Sequence, residues 1–319
     1  MNDIASILSV TALPDFVSDI FRADFGYVAA TDVRDSQQLR ERTHGHNVVL
    51  TSVDAPLRAT HIAALAPSVG AIATYSVGLD HIDLDAARAR SLAVFNTPDV
   101  LTDSVAEVAM LHLLAVLRRA TESIALIRGG SWRGWSPGQL LGGEASGKSL
   151  GIFGMGRIGR AVAQRARAFG MIVHYCNRTR LQAELEAEAI YHPTFDSLLA
   201  VSDLLLLAAP SGPETRGLLN AEHIRRMKRG ACVVNIARGD LIDDDALIEA
   251  LRTGHLGGAG LDVINHEPHF DTRYLGLPNA FLTPHIGSST IEARRRMAQI
   301  LSQGLSNWRR GVAANNRVA

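Results

Sequence analysis

Short apolar runs recur along the chain, separated by stretches rich in helix formers. In the first third, residues 7–10, 48–50, 71–74 and 92–95 read as strands, and a helical stretch around Ile62 and Leu65 ends before Pro67. Further on, residues 150–153, 171–176, 204–210, 231–236, 258–263 and 280–283 repeat the theme. These runs are continuous rather than alternating, which marks strands buried on both faces. Helices between such strands imply parallel pairing. The pattern predicts an α/β protein with two Rossmann-like, doubly wound parallel-sheet domains.

Between the two sets of strands the rhythm breaks. Residues 96–99 (Asn-Thr-Pro-Asp) read as a crossover, and Thr102 is placed as the N-cap of a long helix. That helix is apolar on nearly all sides over residues 108–118, so it is expected to be buried between domains or subunits. Residues 129–137 form an irregular arm carrying Trp132 and Trp135, the kind of patch that marks an interface. A last helix, from Thr290 to about Trp308, is expected to return to the first domain.

One stretch organises the rest. The run of Leu150, Ile152 and Phe153 leads into Gly154-Met155-Gly156-Arg157-Ile158-Gly159, then into a helix that Gly170 stops, then into a second strand ending at Cys176. A G-x-G-x-x-G on a strand-to-helix turn is a dinucleotide-binding pattern. Gly154 permits the tight turn, Gly156 lets the backbone approach a pyrophosphate, and Gly159 lets helix and strand pack closely. The helix N-terminus offers free N–H groups to the phosphates.

The end of the second strand bears on which dinucleotide. A carboxylate about 20 residues past the first glycine holds a ribose 2′-hydroxyl. Here the strand runs into Asn177, Arg178, Thr179 and Arg180, with no acid. Asn177 removes the repulsion a 2′-phosphate would meet, Arg178 can stack on adenine and pair with that phosphate, and Thr179 and Arg180 add donors. NADP(H) is therefore expected to be preferred, with NAD(H) as the alternative.

Composition narrows the class. The chain has 319 residues, enough for two ordinary domains, and its 47% hydrophobic content makes disorder the wrong expectation. Lys and Arg (32) balance Asp and Glu (32), which argues against nucleic acid or an acidic membrane as main partner. The longest apolar run is too short to cross a bilayer, and Met1-Asn2-Asp3-Ile4 does not open a signal peptide. Cys176 and Cys232 lie in apolar runs, so buried reduced thiols and a cytoplasmic setting are expected. No CxxC or HExxH appears, and no metal site is expected.

In an open parallel sheet, ligands lie outside the carboxyl ends of the strands. Arg238, Asp262, Glu267 and His285 all stand at or just past such ends. Arg238 suits a carboxylate, because its planar fork binds two oxygens and stays charged. His285 suits general acid/base work, and an adjacent anion such as Glu267 would orient it and favour its protonated form. The loop at Val77 and Gly78 can present backbone N–H groups to a substrate carboxylate. Each residue taken singly has a plainer reading: a strand-end ion pair, a helix cap, a surface acid. Their convergence on successive strand ends argues for a site.

These motifs together resemble the D-2-hydroxyacid dehydrogenases, and in particular their glyoxylate/hydroxypyruvate reductase branch. The resemblance rests on Ser76-Val77-Gly78-Leu79-Asp80, the turn at 154–159, the stretch 234–239, Gly260-Leu261-Asp262-Val263 and Pro284-His285-Ile286-Gly287, and covers the chain beyond about residue 45. Residues 97–103 and the Trp132/Trp135 arm look like the reductase branch. The resemblance implies a discontinuous, flavodoxin-like substrate domain, 1–99 plus 289–319, and a dinucleotide domain, 100–288, with a cleft between them that closes around substrate. It implies that Arg238 clamps a 2-oxoacid, that His285 is the proton donor with Glu267 behind it, and that Val77 and Gly78 bind substrate through backbone. Asp262 would sit near the nicotinamide carboxamide, and Thr102, Pro210, Thr215, Ala237 and Gly287 would line the dinucleotide. Trp135 would reach the partner's substrate pocket in a homodimer. NADPH-dependent reduction of glyoxylate to glycolate and of hydroxypyruvate to D-glycerate is the expected activity. Another D-2-hydroxyacid or phosphite dehydrogenase is the sister alternative, and a dinucleotide-sensing corepressor-like protein the non-enzymatic one.

Overall fold

The computed structural model describes residues 5–33 and 35–319; Met1-Asn2-Asp3-Ile4, read above as no signal peptide, lies outside the described residues. The chain divides into two compact units, 1–101 with 289–319, and 102–288. Each is built on one parallel sheet.

In the first unit the strands are β1 (Ser6–Ser9), β2 (Gly26–Ala29), β3 (Val48–Thr51), β4 (Ala71–Thr74) and β5 (Ala93–Phe95), in spatial order β2-β1-β3-β4-β5. Four of them bury nearly every residue, with Leu8, Val49, Ile72 and Val94 in one core. β2 differs: it lies at the sheet edge and most of it is exposed. Its run of Tyr27, Val28 and Ala29 is short and largely exposed, and the strand pattern passes over it. The Ile291–Arg309 helix packs on the Asp15–Asp24 helix, with Met297, Leu301 and Leu305 buried. Thr290 caps it through Ala293 N–H. The tail then pairs with β5, Val318 N–H donating to Val94 O at 2.8 Å.

In the second unit the strands are β6 (Ser149–Phe153), β7 (Ile172–Cys176), β8 (Ile190–His192), β9 (Leu204–Leu207), β10 (Cys232–Asn235), β11 (Gly258–Leu261) and β12 (Ala280–Leu282). Their order is β12-β11-β10-β9-β6-β7-β8, parallel throughout. Chain direction across the sheet reverses between β6 and β9, and that switch point is where such sheets open a crevice. β9 is four leucines, all fully buried; each is worth about 1.5–3 kcal/mol over leaving it in water. β8 is the edge strand that the apolar pattern missed, again because it is partly exposed. Cys176 and Cys232 are both free and buried.

The long helix is Thr102–Leu117, and Thr102 is its first helical residue rather than the cap before it. It packs against the Arg157–Ala168 helix and against β10, β11 and β12 of its own unit, which gives its all-round apolarity a local cause. Among the described residues no helix is long and apolar enough to cross a membrane.

Candidate active site

The glycine turn follows β6 at the switch point. Gly154 has φ +100°, and a Cβ there would come within 2.5 Å of Ala209 N, just past the end of β9. At Gly159 a Cβ would meet Gly154 O at 2.3 Å, so the helix lies on the turn as closely as backbone allows. Gly156 is different. Its φ of −74° and ψ of −158° suit any residue, and a Cβ would meet no protein atom within 4 Å. Nothing inside the fold demands a glycine there, whereas a phosphate group approaching the helix N-terminus from outside does. The residues present therefore fit a dinucleotide.

Asn177 does more than avoid a charge. Its Oδ1 accepts the Met155 N–H at 2.7 Å, tying the end of β7 to the glycine turn. Arg178 and Thr179 are exposed, and Arg178 has no side-chain partner among the described residues. Arg180 departs from expectation. Its guanidinium holds Glu186 with two bonds of 2.8 and 3.1 Å, and so is committed within the fold. The Pro210 loop past β9 is pinned by the Thr215 hydroxyl, which donates to Pro210 O at 3.0 Å.

Arg238 stands after β10 on a turn that Asn235 builds. The fully buried Asn235 side chain accepts from Ala237 N–H at 3.0 Å and donates to Arg238 O at 2.8 Å. Gly239 packs so tightly that a Cβ would lie 2.2 Å from the Ile264 carbonyl carbon, which draws this turn against the segment leading to Glu267. The Glu267 carboxylate accepts Ile264 N–H at 2.6 Å on Oε1 and meets His285 Nδ1 at 2.9 Å on Oε2. Burial alone would raise its pKa. The bonds from His285 and Ile264, helped by the His285 and Arg238 charges, overcome that and hold it below the usual glutamate range.

An ionised carboxylate only accepts, so His285 Nδ1 carries a proton in both of its charge states. Nε2 is then the atom that gains and loses one. The backbone at His285 is left-handed, φ +53°, and its N–H donates to Asp262 O at 2.9 Å. Asp262 is buried and accepts three hydrogen bonds from this loop on its carboxylate. Oδ1 accepts from Thr283 Oγ1 at 2.6 Å and Ile286 N–H at 2.8 Å, and Oδ2 accepts Gly287 N–H at 2.8 Å. One lone pair on Oδ2 remains for a further donor such as an amide.

Arg238, Glu267 and His285 thus form one group, with the glycine turn, Asn177 and the 210–215 loop on the same carboxyl edge of the sheet. Val77 and Gly78 belong to the other unit. There, Asn96 Nδ2 donates to Val77 O at 3.0 Å and Ser76 Oγ to Gly78 O at 2.6 Å. Neither Val77 N–H nor Gly78 N–H has a partner among the described residues. Trp135 is 83% exposed in its irregular arm and joins no other candidate residue. Among the described residues no His, Cys, Asp or Glu cluster could hold a metal. The positions that sequence reasoning missed are those that hold the others: Asn235 beneath Arg238 and Thr283 on Asp262.

The family model for the NAD binding domain of D-isomer specific 2-hydroxyacid dehydrogenases matches residues 110–287. The glycerate dehydrogenase of Hyphomicrobium methylovorum is 43% identical over 263 residues, 82% of this chain and 82% of that one. The glyoxylate reductase of Pyrococcus furiosus is 44% identical over 251 residues, 77% of this chain and 74% of its own. The NADPH-dependent glyoxylate/hydroxypyruvate reductase of Sinorhizobium meliloti, solved with NADP and malonate, superposes with a TM-score of 0.89 at 31% identity, covering 99% of this chain and 97% of that one.

Proposed function

The chain belongs to the D-isomer specific 2-hydroxyacid dehydrogenase family, and on that premise we propose that it reduces glyoxylate and hydroxypyruvate with NADPH. The observation that carries this reading is the 2.9 Å contact of His285 Nδ1 with the Glu267 carboxylate, with Arg238 charge beside it at the carboxyl ends of parallel strands. The dinucleotide supplies the hydride. Arg238 binds and orients the 2-oxoacid, its fork matching a carboxylate and its charge favouring the developing alkoxide. His285 gives its Nε2 proton to the carbonyl oxygen. Glu267 keeps Nδ1 protonated, points the ring and stabilises the cation before transfer.

Thr102, Gly154, Met155, Gly156, Arg157, Ile158, Gly159, Asn177, Arg178, Thr179, Pro210, Thr215, Ala237, Asp262 and Gly287 are assigned to the dinucleotide. Arg178, exposed past β7 with no partner of its own, is the side chain we assign to the 2′-phosphate, which makes NADPH the favoured cofactor. Val77 and Gly78 are assigned to the substrate carboxylate through their unpartnered N–H groups. We assign residues 1–101 with 289–319 to substrate binding, and 102–288 to the dinucleotide. The arm with Trp132 and Trp135 is assigned to a homodimer contact, and the setting to the cytoplasm. The small size of both substrates supports the pairing with relatives named for glyoxylate and glycerate.

The test is a panel of 2-oxoacids of increasing size with NADPH and NADH, followed by absorbance near about 340 nm, where the reduced ring absorbs. Glyoxylate and hydroxypyruvate with NADPH should give the highest kcat/KM. No oxidation of either cofactor across the panel would reject the reading, and a clear preference for NADH would reject its cofactor half.

A further inference from the structure

The Thr102–Leu117 helix sends one ionisable side chain into the core of its unit. His112 is fully buried, with its ring edge-on to Phe281 at 5.1 Å between centroids. Gly260 in β11 makes the room: a Cβ there would come within 2.9 Å of the imidazole. Donor counting fixes the tautomer. The single Thr283 hydroxyl proton goes to Asp262 Oδ1 at 2.6 Å. The 2.8 Å contact between Thr283 Oγ1 and His112 Nε2 must then run the other way, with Nε2–H donating. Nδ1 is left without a proton and without a partner in the core. Protonating it would bury an N–H with no acceptor, and burial accordingly lowers the pKa of His112 to about 4. Asp262 is the charged group that faces it and pulls the other way; Gly260 and Phe281, on β11 and β12, bring none.

We propose that His112 is a positioning residue for the proton donor: its Nε2–H, through Thr283 and Asp262, fixes the 283–287 loop on which His285 stands. This rests on the reading of His285 as that donor. The Asp262 carboxylate also takes Ile286 N–H and Gly287 N–H, each at 2.8 Å, and the Asp262 carbonyl takes His285 N–H at 2.9 Å. One residue therefore gathers the whole loop, and the loop needs gathering, because His285 holds a left-handed backbone that a side-chain-bearing residue rarely keeps without support. His112 keeps the Thr283 hydroxyl turned toward Asp262. Without that donor the hydroxyl can rotate, Asp262 loses a bond, and the loop loosens around His285.

Four variants test this. His112→Leu removes the donor and should lower kcat for glyoxylate reduction about 10- to 100-fold, the cost of a small misplacement of the reacting group. KM for glyoxylate should change little, because neither His112 nor Thr283 is assigned to the substrate. His112→Gln, whose amide nitrogen reaches the Nε2 position, should restore most of the rate. Thr283→Val should give the same loss, and the double variant H112L/T283V no further loss. Wild-type kcat in H112L, failure of H112Q to rescue, or losses that multiply would overturn the proposal. If H112L does not fold, an unchanged kcat in T283V overturns the proposal, and a loss of about 10- to 100-fold in T283V together with near-wild-type kcat in H112Q supports it. Imidazole ¹⁵N shifts of the unliganded protein keep this apart from the reaction itself. A protonated Nδ1 at His112 overturns the positioning role even if reduction is confirmed. The Nε2–H tautomer supports the relay even if no 2-oxoacid is reduced.

Discussion

Replacing Gly156 with alanine separates what the fold needs from what a ligand needs. The residue stands before the Arg157–Ala168 helix with φ −74° and ψ −158°, a conformation alanine adopts freely, and the new methyl would touch no protein atom within 4 Å. Alanine is a poorer N-cap than glycine by something under about 1 kcal/mol. The stiffer unfolded chain returns about 0.4–1 kcal/mol. The two offset each other, so the melting temperature without dinucleotide should move by no more than about 4 °C. The cofactor should feel the change fully. A methyl forced into a close-packed contact costs about 1–3 kcal/mol, which is about 5- to 150-fold in the NADPH Kd. Thermal unfolding of the apoprotein and titration of NADPH fluorescence measure the two effects separately. Gly159→Ala is the contrast, because its methyl would lie 2.3 Å from Gly154 O and must damage the fold itself. An unchanged NADPH Kd in Gly156→Ala would refute the argument that the open space before this turn is the pyrophosphate's, and so would a melting loss as large as that of Gly159→Ala.

Three further outcomes are expected. His285→Gln should cut reduction by about 10²–10⁴-fold while NADPH still binds; unchanged turnover would remove His285 as the acid. Arg178→Ala should weaken NADPH far more than NADH in parallel titrations, and equal losses would show that the 2′-phosphate is not read there. Buried neutral His112 should couple stability to pH: its folded pKa of about 4 lies below the unfolded value of 6.5, so the unfolded chain binds the extra proton between them. Stability then rises with pH across that window, is fully present above it, and is lost as pH falls, by about 3 kcal/mol in all. Denaturant unfolding of wild type against His112→Leu should show this as a difference that grows from pH 4 to 6.5, and a flat difference would refute it.

How much of the fold the chain displays depends on where each strand lies. The interior strands announce themselves: β9 is four leucines with both faces covered, and its run is unmistakable. β2 and β8 lie at the sheet edges, where β2 is mostly exposed and β8 partly so. A strand under that condition offers only a short run that does not stand out from loop, and pairing with a neighbour defines it instead. The long helix shows the converse limit. Its apolar surface says that it is surrounded but not by what, and the surroundings turn out to include the Arg157–Ala168 helix and three strands of its own unit.

The same distinction runs through the candidate site. The groups assigned to the site carry charge or lack a side chain at strand ends, and such residues stand out: Arg238, Glu267, His285 and the turn at Gly154, Gly156 and Gly159. Groups that hold those residues work by direction rather than charge. Asn235 looks like any polar residue ending a strand until its amide is seen to bridge Ala237 and Arg238. Thr283 looks like a loop threonine, although its single proton decides which way a buried chain of hydrogen bonds points. Even His112, a lone imidazole in an apolar helix, is matched by a gap at Gly260, a residue 148 positions later in numbering that becomes its neighbour only when the Thr102–Leu117 helix lies across β11. Arg180 errs in the opposite direction, since its charge suggested a ligand and the fold spends it on Glu186. Charge in a sequence therefore locates where chemistry is available, and only the hydrogen-bond geometry tells which charges remain free for a substrate and which have been claimed by the protein.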